Sequence, residues 1–105
     1  MAPRWALPII AALVSGMSVS AHAATIQITM ENLVFSPAEV SAEVGDTIEW
    51  INKDVLAHTA TARSGDWDVT IAPKKTVTSV LKKAGATDYY CRFHPNMKAV
   101  LNVAP

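Results

Sequence analysis

The sequence of 105 residues lacks most of the features that mark common functional classes. It has one cysteine, so no disulfide can form within the chain. Its nine basic and nine acidic residues give a formal net charge of zero, which does not support a nucleic-acid partner. It has no uninterrupted apolar run of the roughly twenty residues that a membrane-spanning helix needs. Internal repeats, low-complexity segments and linkers are also missing, so the length fits a single domain.

The first 23 residues are predicted to be a signal peptide. Arg4 provides a short basic region, Trp5 to Val14 is an apolar run, and Ala21 to Ala23 fits an A-x-A cleavage site. The apolar run is too short for a transmembrane anchor. We therefore expect export to the periplasm, no membrane attachment after cleavage, loss of His22 with the leader, and a folded domain of residues 24–105.

Apolar residues at every second position predict an all-β fold for that domain. They recur in short stretches at spacings of about ten residues, and turn residues separate the stretches. The predicted strands and short apolar runs are 24–30, 33–35, 39–44, 47–51, 58–61, 76–81, 87–91 and 99–103. The segment 63–68 is assigned to a loop by its composition. We expect a β-sandwich or barrel of seven to eight short strands.

One segment concentrates soft metal ligands. Cys91, His94 and Met97 follow one another at the spacing C-x2-H-x2-M, and Pro95 favours a turn within it. A thiolate, an imidazole and a thioether suit copper better than magnesium or calcium, and the methionine argues against zinc. Because Cys91 ends one predicted strand and Met97 precedes the next, we expect this run to be the loop between neighbouring strands.

His58 is the candidate for a fourth ligand, because it is the one other histidine outside the leader. It begins a predicted strand after the polar break at 52–54, which places it at an end of the sandwich. Two histidines and a thiolate, with a weak axial thioether, describe a blue-copper site that carries one electron. A bound metal would also mask the free thiol and stabilise a small domain.

Three alternatives remain open for these residues. Cys91 and Met97 could simply fill the core of a sandwich without a metal. Cys91 could form a nucleophilic pair with a histidine, but we see no pattern for an oxyanion hole or a substrate cleft and do not expect an enzyme. The chain could bind copper for delivery or homeostasis in the periplasm. It has no tail rich in methionine and histidine, which favours electron transfer over delivery.

Three segments resemble the cupredoxins, and within them the amicyanin-like and pseudoazurin-like small blue copper proteins. These segments are 44–52 (VGDTIEWIN), 54–58 (DVLAH) and 88–97 (DYYCRFHPNM). The resemblance covers nearly all of the domain, and C-x2-H-x2-M is the amicyanin spacing. It implies a Greek-key β-sandwich with one copper ion, in which His58, Cys91 and His94 are the strong ligands and Met97 is the axial one.

The resemblance also implies a function and partners. We expect a monomeric periplasmic electron carrier that docks a redox donor and acceptor, such as a dehydrogenase, a cytochrome c or an oxidase, on an apolar patch around His94. The residues expected in that patch are Val55, Leu56, Ile71, Pro73, Phe93 and Pro95. The residues expected to form a basic rim that steers an acidic partner are Lys53, Lys74, Lys75, Arg92 and Lys98.

Two positions carry more specific hypotheses. Asn52 matches the asparagine that ties the two ligand loops together in this family. Phe93 stands where amicyanin has a proline and therefore has a backbone N–H. If that N–H points at the Cys91 thiolate, it would stabilise Cu(I) and raise the reduction potential.

Overall fold

The computed structural model describes residues 23–105, so the predicted signal peptide lies outside the described residues except for Ala23. The described part of the chain consists of β-strands, turns and loops, and it contains no helix that could cross a membrane. Its nine strands are β1 (Thr25–Glu31), β2 (Val34–Ser36), β3 (Glu39–Glu43), β4 (Thr47–Asn52), β5 (His58–Ala62), β6 (Asp68–Ile71), β7 (Thr76–Val80), β8 (Gly85–Cys91) and β9 (His94–Ala104).

The strands form two sheets, which confirms the predicted all-β sandwich. One sheet has the order β2-β1-β4-β7 and the other has the order β3-β9-β8-β5-β6. The pairs β1–β4 and β3–β9 are parallel, and the remaining pairs are antiparallel. Neighbours such as β4 and β7 are distant in sequence, so the chain crosses repeatedly between the sheets, as Greek-key connections require.

The structure has nine strands rather than the predicted seven to eight, and the strand without a predicted counterpart is β6, an edge strand with a weak sequence signal. β6 begins at Asp68, at the end of the segment that was assigned to a loop, and it pairs with β5 so that Ile71 lies opposite His58. β6 is the outermost strand of its sheet and exposes Asp68 and Thr70 to solvent. β2, at an edge of the other sheet, has only three residues. Short edge strands of this kind discourage further strand pairing.

The core lies between the two sheets and extends to the predicted ligands. On β4, alternation directs Ile48 and Trp50 inward, where both are almost fully buried. Aromatic contacts then join the sheets, since the ring of Tyr89 on β8 lies 5.4 Å from that of Trp50 and 4.8 Å from that of Phe35. Cys91 follows Tyr89 on the same face of β8 and belongs to the same core cluster. The well-packed core therefore supports the thiol directly.

Candidate metal centre

Three of the predicted ligands meet at one end of the sandwich. The candidate ligand atoms of His58, Cys91 and His94 all lie within 4.8 Å of one another. Cys91 Sγ is 3.7 Å from His58 Nδ1 and 3.6 Å from His94 Nδ1. Atoms that share one metal ion at bond lengths of about 2.0–2.3 Å are separated by distances of this size. His58 and Cys91 are fully buried, whereas His94 is partly exposed. The donor set therefore fits one soft metal ion such as copper.

Met97 is close to these ligands in the sequence, but it lies in a strand and not in the predicted loop. β9 begins at His94, so Met97 is the fourth residue of a strand rather than part of a loop that precedes it. The connection is short because Arg92 and Phe93 form the turn, and Cys91 pairs directly with His94 after an irregularity at Tyr90. The Met97 side chain is 3% exposed and packs in the core cluster that includes Cys91.

A carboxylate that the sequence analysis did not single out holds the far side of the His58 ring. Asp54 Oδ2 lies 2.7 Å from His58 Nε2. The same carboxylate accepts the backbone N–H groups of Asn32 at 2.8 Å and Leu33 at 3.1 Å. Desolvation acts to raise the pKa of Asp54, but the hydrogen bonds from His58 and the two backbone groups outweigh it and hold this pKa below its ordinary value. Asp54 is therefore ionised near neutral pH.

Thr59 makes the thiolate contact that was expected of Phe93. The Thr59 backbone N–H donates to Cys91 Sγ at 3.3 Å. Its side-chain Oγ1 accepts the backbone N–H of Arg92 at 2.8 Å. Within residues 23–105 no hydrogen bond joins Phe93 to Cys91. The hydrogen bond to Cys91 Sγ comes instead from the neighbouring strand β5. Thr59 thus connects the strand that carries His58 to the turn that carries Cys91 and His94.

Asn52 has a related role but binds another loop. Its Nδ2 group donates to the carbonyl oxygens of Leu56 at 2.9 Å, Ile71 at 3.1 Å and Ala72 at 3.2 Å. Its Oδ1 accepts the Asp54 backbone N–H at 2.9 Å. Asn52 therefore fixes the loop before His58 against the end of β6. The expected link between the two ligand-bearing loops comes from Thr59.

The surface around the centre is apolar, with one correction to the expected patch. Phe93, Val55 and Leu56 are 51%, 76% and 49% exposed, and Pro73 and Pro95 are exposed as well. Ile71, by contrast, is fully buried because it faces inward at the end of β6, so it is not part of the patch.

The patch also gains a residue that the sequence analysis missed. Leu33 is 44% exposed, and its backbone N–H donates a hydrogen bond to Asp54, in the loop that carries Val55. We call Leu33, Val55, Leu56, Phe93, Pro73 and Pro95 the apolar patch.

The five residues expected in a basic rim are all exposed, but two have specific partners. Arg92 Nε lies 3.2 Å from Asp68 Oδ1, and Lys74 Nζ donates to the Lys53 carbonyl oxygen. The Asp68 carboxyl accepts bonds from Thr61 and Arg92, which hold its pKa below the ordinary value. The charge of Arg92 is therefore partly balanced, and Lys53, Lys74, Lys75 and Lys98 carry most of the positive charge.

Comparison with known proteins agrees with this architecture. The family model described as a cupredoxin-like domain matches residues 5–103. This match begins inside the predicted signal peptide, so the boundary at residue 23 stays a prediction. Amicyanin from Paracoccus versutus is 25% identical with a TM-score of 0.65, over 81% of this chain and 84% of that one.

Two amicyanin variants give similar values. A reduced variant with a proline-to-phenylalanine substitution is 25% identical with a TM-score of 0.64, over 75% of this chain and 81% of that one. A reduced Cu(I) form at pH 4, with a proline-to-glycine substitution, is 24% identical with a TM-score of 0.65, over 81% of this chain and 85% of that one. The chain therefore belongs to the cupredoxin-like family and has the β-sandwich fold of amicyanin.

Proposed function

We propose that this protein is a periplasmic electron carrier with one copper ion held by His58, Cys91, His94 and Met97. The observation that carries the proposal is the convergence of one sulfur and two imidazole nitrogens within 4.8 Å. When bound, copper would supply a one-electron couple between Cu(I) and Cu(II). The similarity to amicyanin structures, one of them a Cu(I) form, supports this assignment.

The protein's own contribution is a site that changes little when the charge changes. His58 and Cys91 are fully buried at the ends of paired strands. The Thr59 backbone N–H donates to Cys91 Sγ, and the Thr59 hydroxyl oxygen accepts the Arg92 backbone N–H; both bonds restrict the thiolate further. Ligands held in this way cannot easily adopt a different geometry for each oxidation state. The site therefore suits rapid electron exchange, and its burial does not favour release of a metal ion to another protein.

His94 is the proposed point at which electrons enter and leave. It is the partly exposed member of the three converging ligands, and the neighbouring Phe93 is half exposed within the apolar patch. An apolar surface of modest area suits brief docking of a redox donor or acceptor, such as a dehydrogenase, a cytochrome c or an oxidase. The exposed lysines nearby would steer an acidic partner. We propose that the carrier acts as a monomer and has no catalytic activity of its own.

The visible spectrum of the purified domain with Cu(II) tests the site. We expect an intense thiolate-to-copper band in the wild type and its loss in Cys91→Ser. A matched control is Thr78→Ser, which changes an exposed side chain on β7 and should leave the band intact. A wild-type complex without this band would contradict the proposed ligand set and would favour the alternative role in copper delivery or homeostasis.

A further inference from the structure

Asp54 connects the buried ligand His58 to a part of the chain that is distant in sequence. One of its oxygens, Oδ2, contacts His58 Nε2 at 2.7 Å and the Leu33 N–H at 3.1 Å, and the other, Oδ1, accepts the Asn32 N–H at 2.8 Å. Three donors therefore fix the orientation of this carboxylate. Its own backbone N–H is also fixed, since it donates to Asn52 Oδ1.

The two backbone donors come from a turn with an unusual conformation. Asn32 and Leu33 have φ angles of 56° and 63°, in the left-handed region that non-glycine residues seldom adopt. Two successive N–H groups in this turn point at Asp54 and make a small binding site for a carboxylate. The carboxylate therefore does not depend on His58 alone for its position.

The contact between Asp54 and His58 determines which ring nitrogen of His58 has a lone pair available for a metal ion. Both oxygens of Asp54 accept backbone N–H groups, so this side chain acts as an acceptor, which places the hydrogen of the 2.7 Å contact on His58 Nε2. In the neutral ring the lone pair then lies on Nδ1, the atom that faces Cys91 Sγ at 3.7 Å. Metal-ligating histidines commonly use such a partner on the second ring nitrogen, and removing the partner lowers metal affinity about 10- to 100-fold.

We propose that Asp54 is a positioning residue, which holds His58 as the Nε2–H tautomer with Nδ1 directed at the metal and which favours the oxidised metal through its negative charge. This inference rests on the proposed function for its redox part, whereas the tautomer is a property of the metal-free protein. The carboxylate makes His58 a stronger electron donor, which stabilises Cu(II) more than Cu(I). Neutralising Asp54 should therefore raise the reduction potential.

Asp54→Asn tests the inference, with Asp46→Asn as the matched control. Asp46 also accepts two backbone N–H groups, from Ala24 and Glu43 at 2.9 Å each, but it lies at the opposite end of the sandwich. We expect the ¹⁵N spectrum of metal-free wild type to show His58 with its hydrogen on Nε2, and that of Asp54→Asn to show a mixture of tautomers. The ratio of Cu(II) to Cu(I) affinity should fall about tenfold in Asp54→Asn, which is a rise of about 59 mV in the potential.

The control variants separate positioning from general destabilisation. Asp46→Asn should leave both the tautomer and the affinity ratio as in the wild type, even if it unfolds more easily. Asp54→Glu, which restores the charge, should recover most of the wild-type ratio. If His58 keeps its tautomer and the affinity ratio is unchanged in Asp54→Asn, the inference is wrong. If the wild type lacks a thiolate-to-copper band, the proposed function fails, while the tautomer measurement still tests Asp54.

Discussion

Replacing Thr59 with valine tests the link between the two ligand-bearing segments. Thr59 is fully buried, and valine has nearly the same shape, so the change removes the hydroxyl group without creating a cavity. The Arg92 backbone N–H then loses the acceptor that lies 2.8 Å away. A buried donor left without a partner costs about 1–3 kcal/mol. Because Arg92 is close to the surface and water can reach it in part, we expect a loss of about 1–2 kcal/mol in the free energy of unfolding.

Urea unfolding of the metal-free domain measures this loss. With an m-value of about 1 kcal/mol/M for a domain of this size, the midpoint should fall by about 1–2 M. Thr70→Val is a matched control, because Thr70 lies opposite Thr59 in the β5–β6 pair but is exposed. Its effect should stay within about 0.5 kcal/mol.

The copper-loaded Thr59→Val protein should also release its metal faster, since the turn between Cys91 and His94 is less restrained. A variant as stable as the wild type that also retained copper as long would refute the role assigned to Thr59.

Three further changes address the core, the pH dependence and the axial position. Tyr89 is fully buried and its hydroxyl has no hydrogen-bond partner among the described residues, so Tyr89→Phe should not lower the free energy of unfolding and should raise it by at most about 1–3 kcal/mol. A less stable variant would contradict this. Bonds from the backbones of Ala24 and Glu43 hold the pKa of Asp46 below its ordinary value, so its contribution to stability is present above about pH 4 and is lost as the pH falls through the lowered pKa. Asp46→Asn should therefore show a weaker loss of stability than the wild type in acid titrations followed by circular dichroism, and an identical acid profile would be inconsistent with this reasoning. Met97→Leu should keep the thiolate-to-copper band but shift the reduction potential. The control Met30→Leu, at another buried methionine of the core, should leave both the band and the potential unchanged. Equal potentials in wild type and Met97→Leu would exclude Met97 as a ligand.

The alternation of apolar residues was sufficient to predict the sandwich, because half-buried strands expose and bury their residues in turn. The convergence of His58, Cys91 and His94 was predictable because the domain contains few other soft or imidazole donors. β6 was harder to predict because an edge strand buries so few residues: Asp68 and Thr70 are exposed and Ile71 is fully buried. Because Ile71 points into the core, the prediction that it belongs to the apolar patch was wrong.

The supporting hydrogen bonds could not be predicted from the sequence in the same way. Thr59 reaches Cys91 because β5 and β8 are neighbours in one sheet, a pairing between segments 32 residues apart. Asp54 depends on a turn between β1 and β2 that lies more than twenty residues earlier. Such contacts follow from the order of strands in the sheets and from backbone conformation. The spacing between Asp54 and His58 was the one local signal, and spacing alone did not show that the two side chains meet.

Voltammetry of the copper-loaded domain tests most directly whether this protein carries electrons. The geometry of the centre, with two ligands fully buried and the thiolate restrained from β5, predicts a reversible one-electron couple with copper retained through repeated cycles. Irreversible waves, or loss of copper on each reduction, would contradict the proposed role as an electron carrier and would indicate a protein that handles copper as cargo.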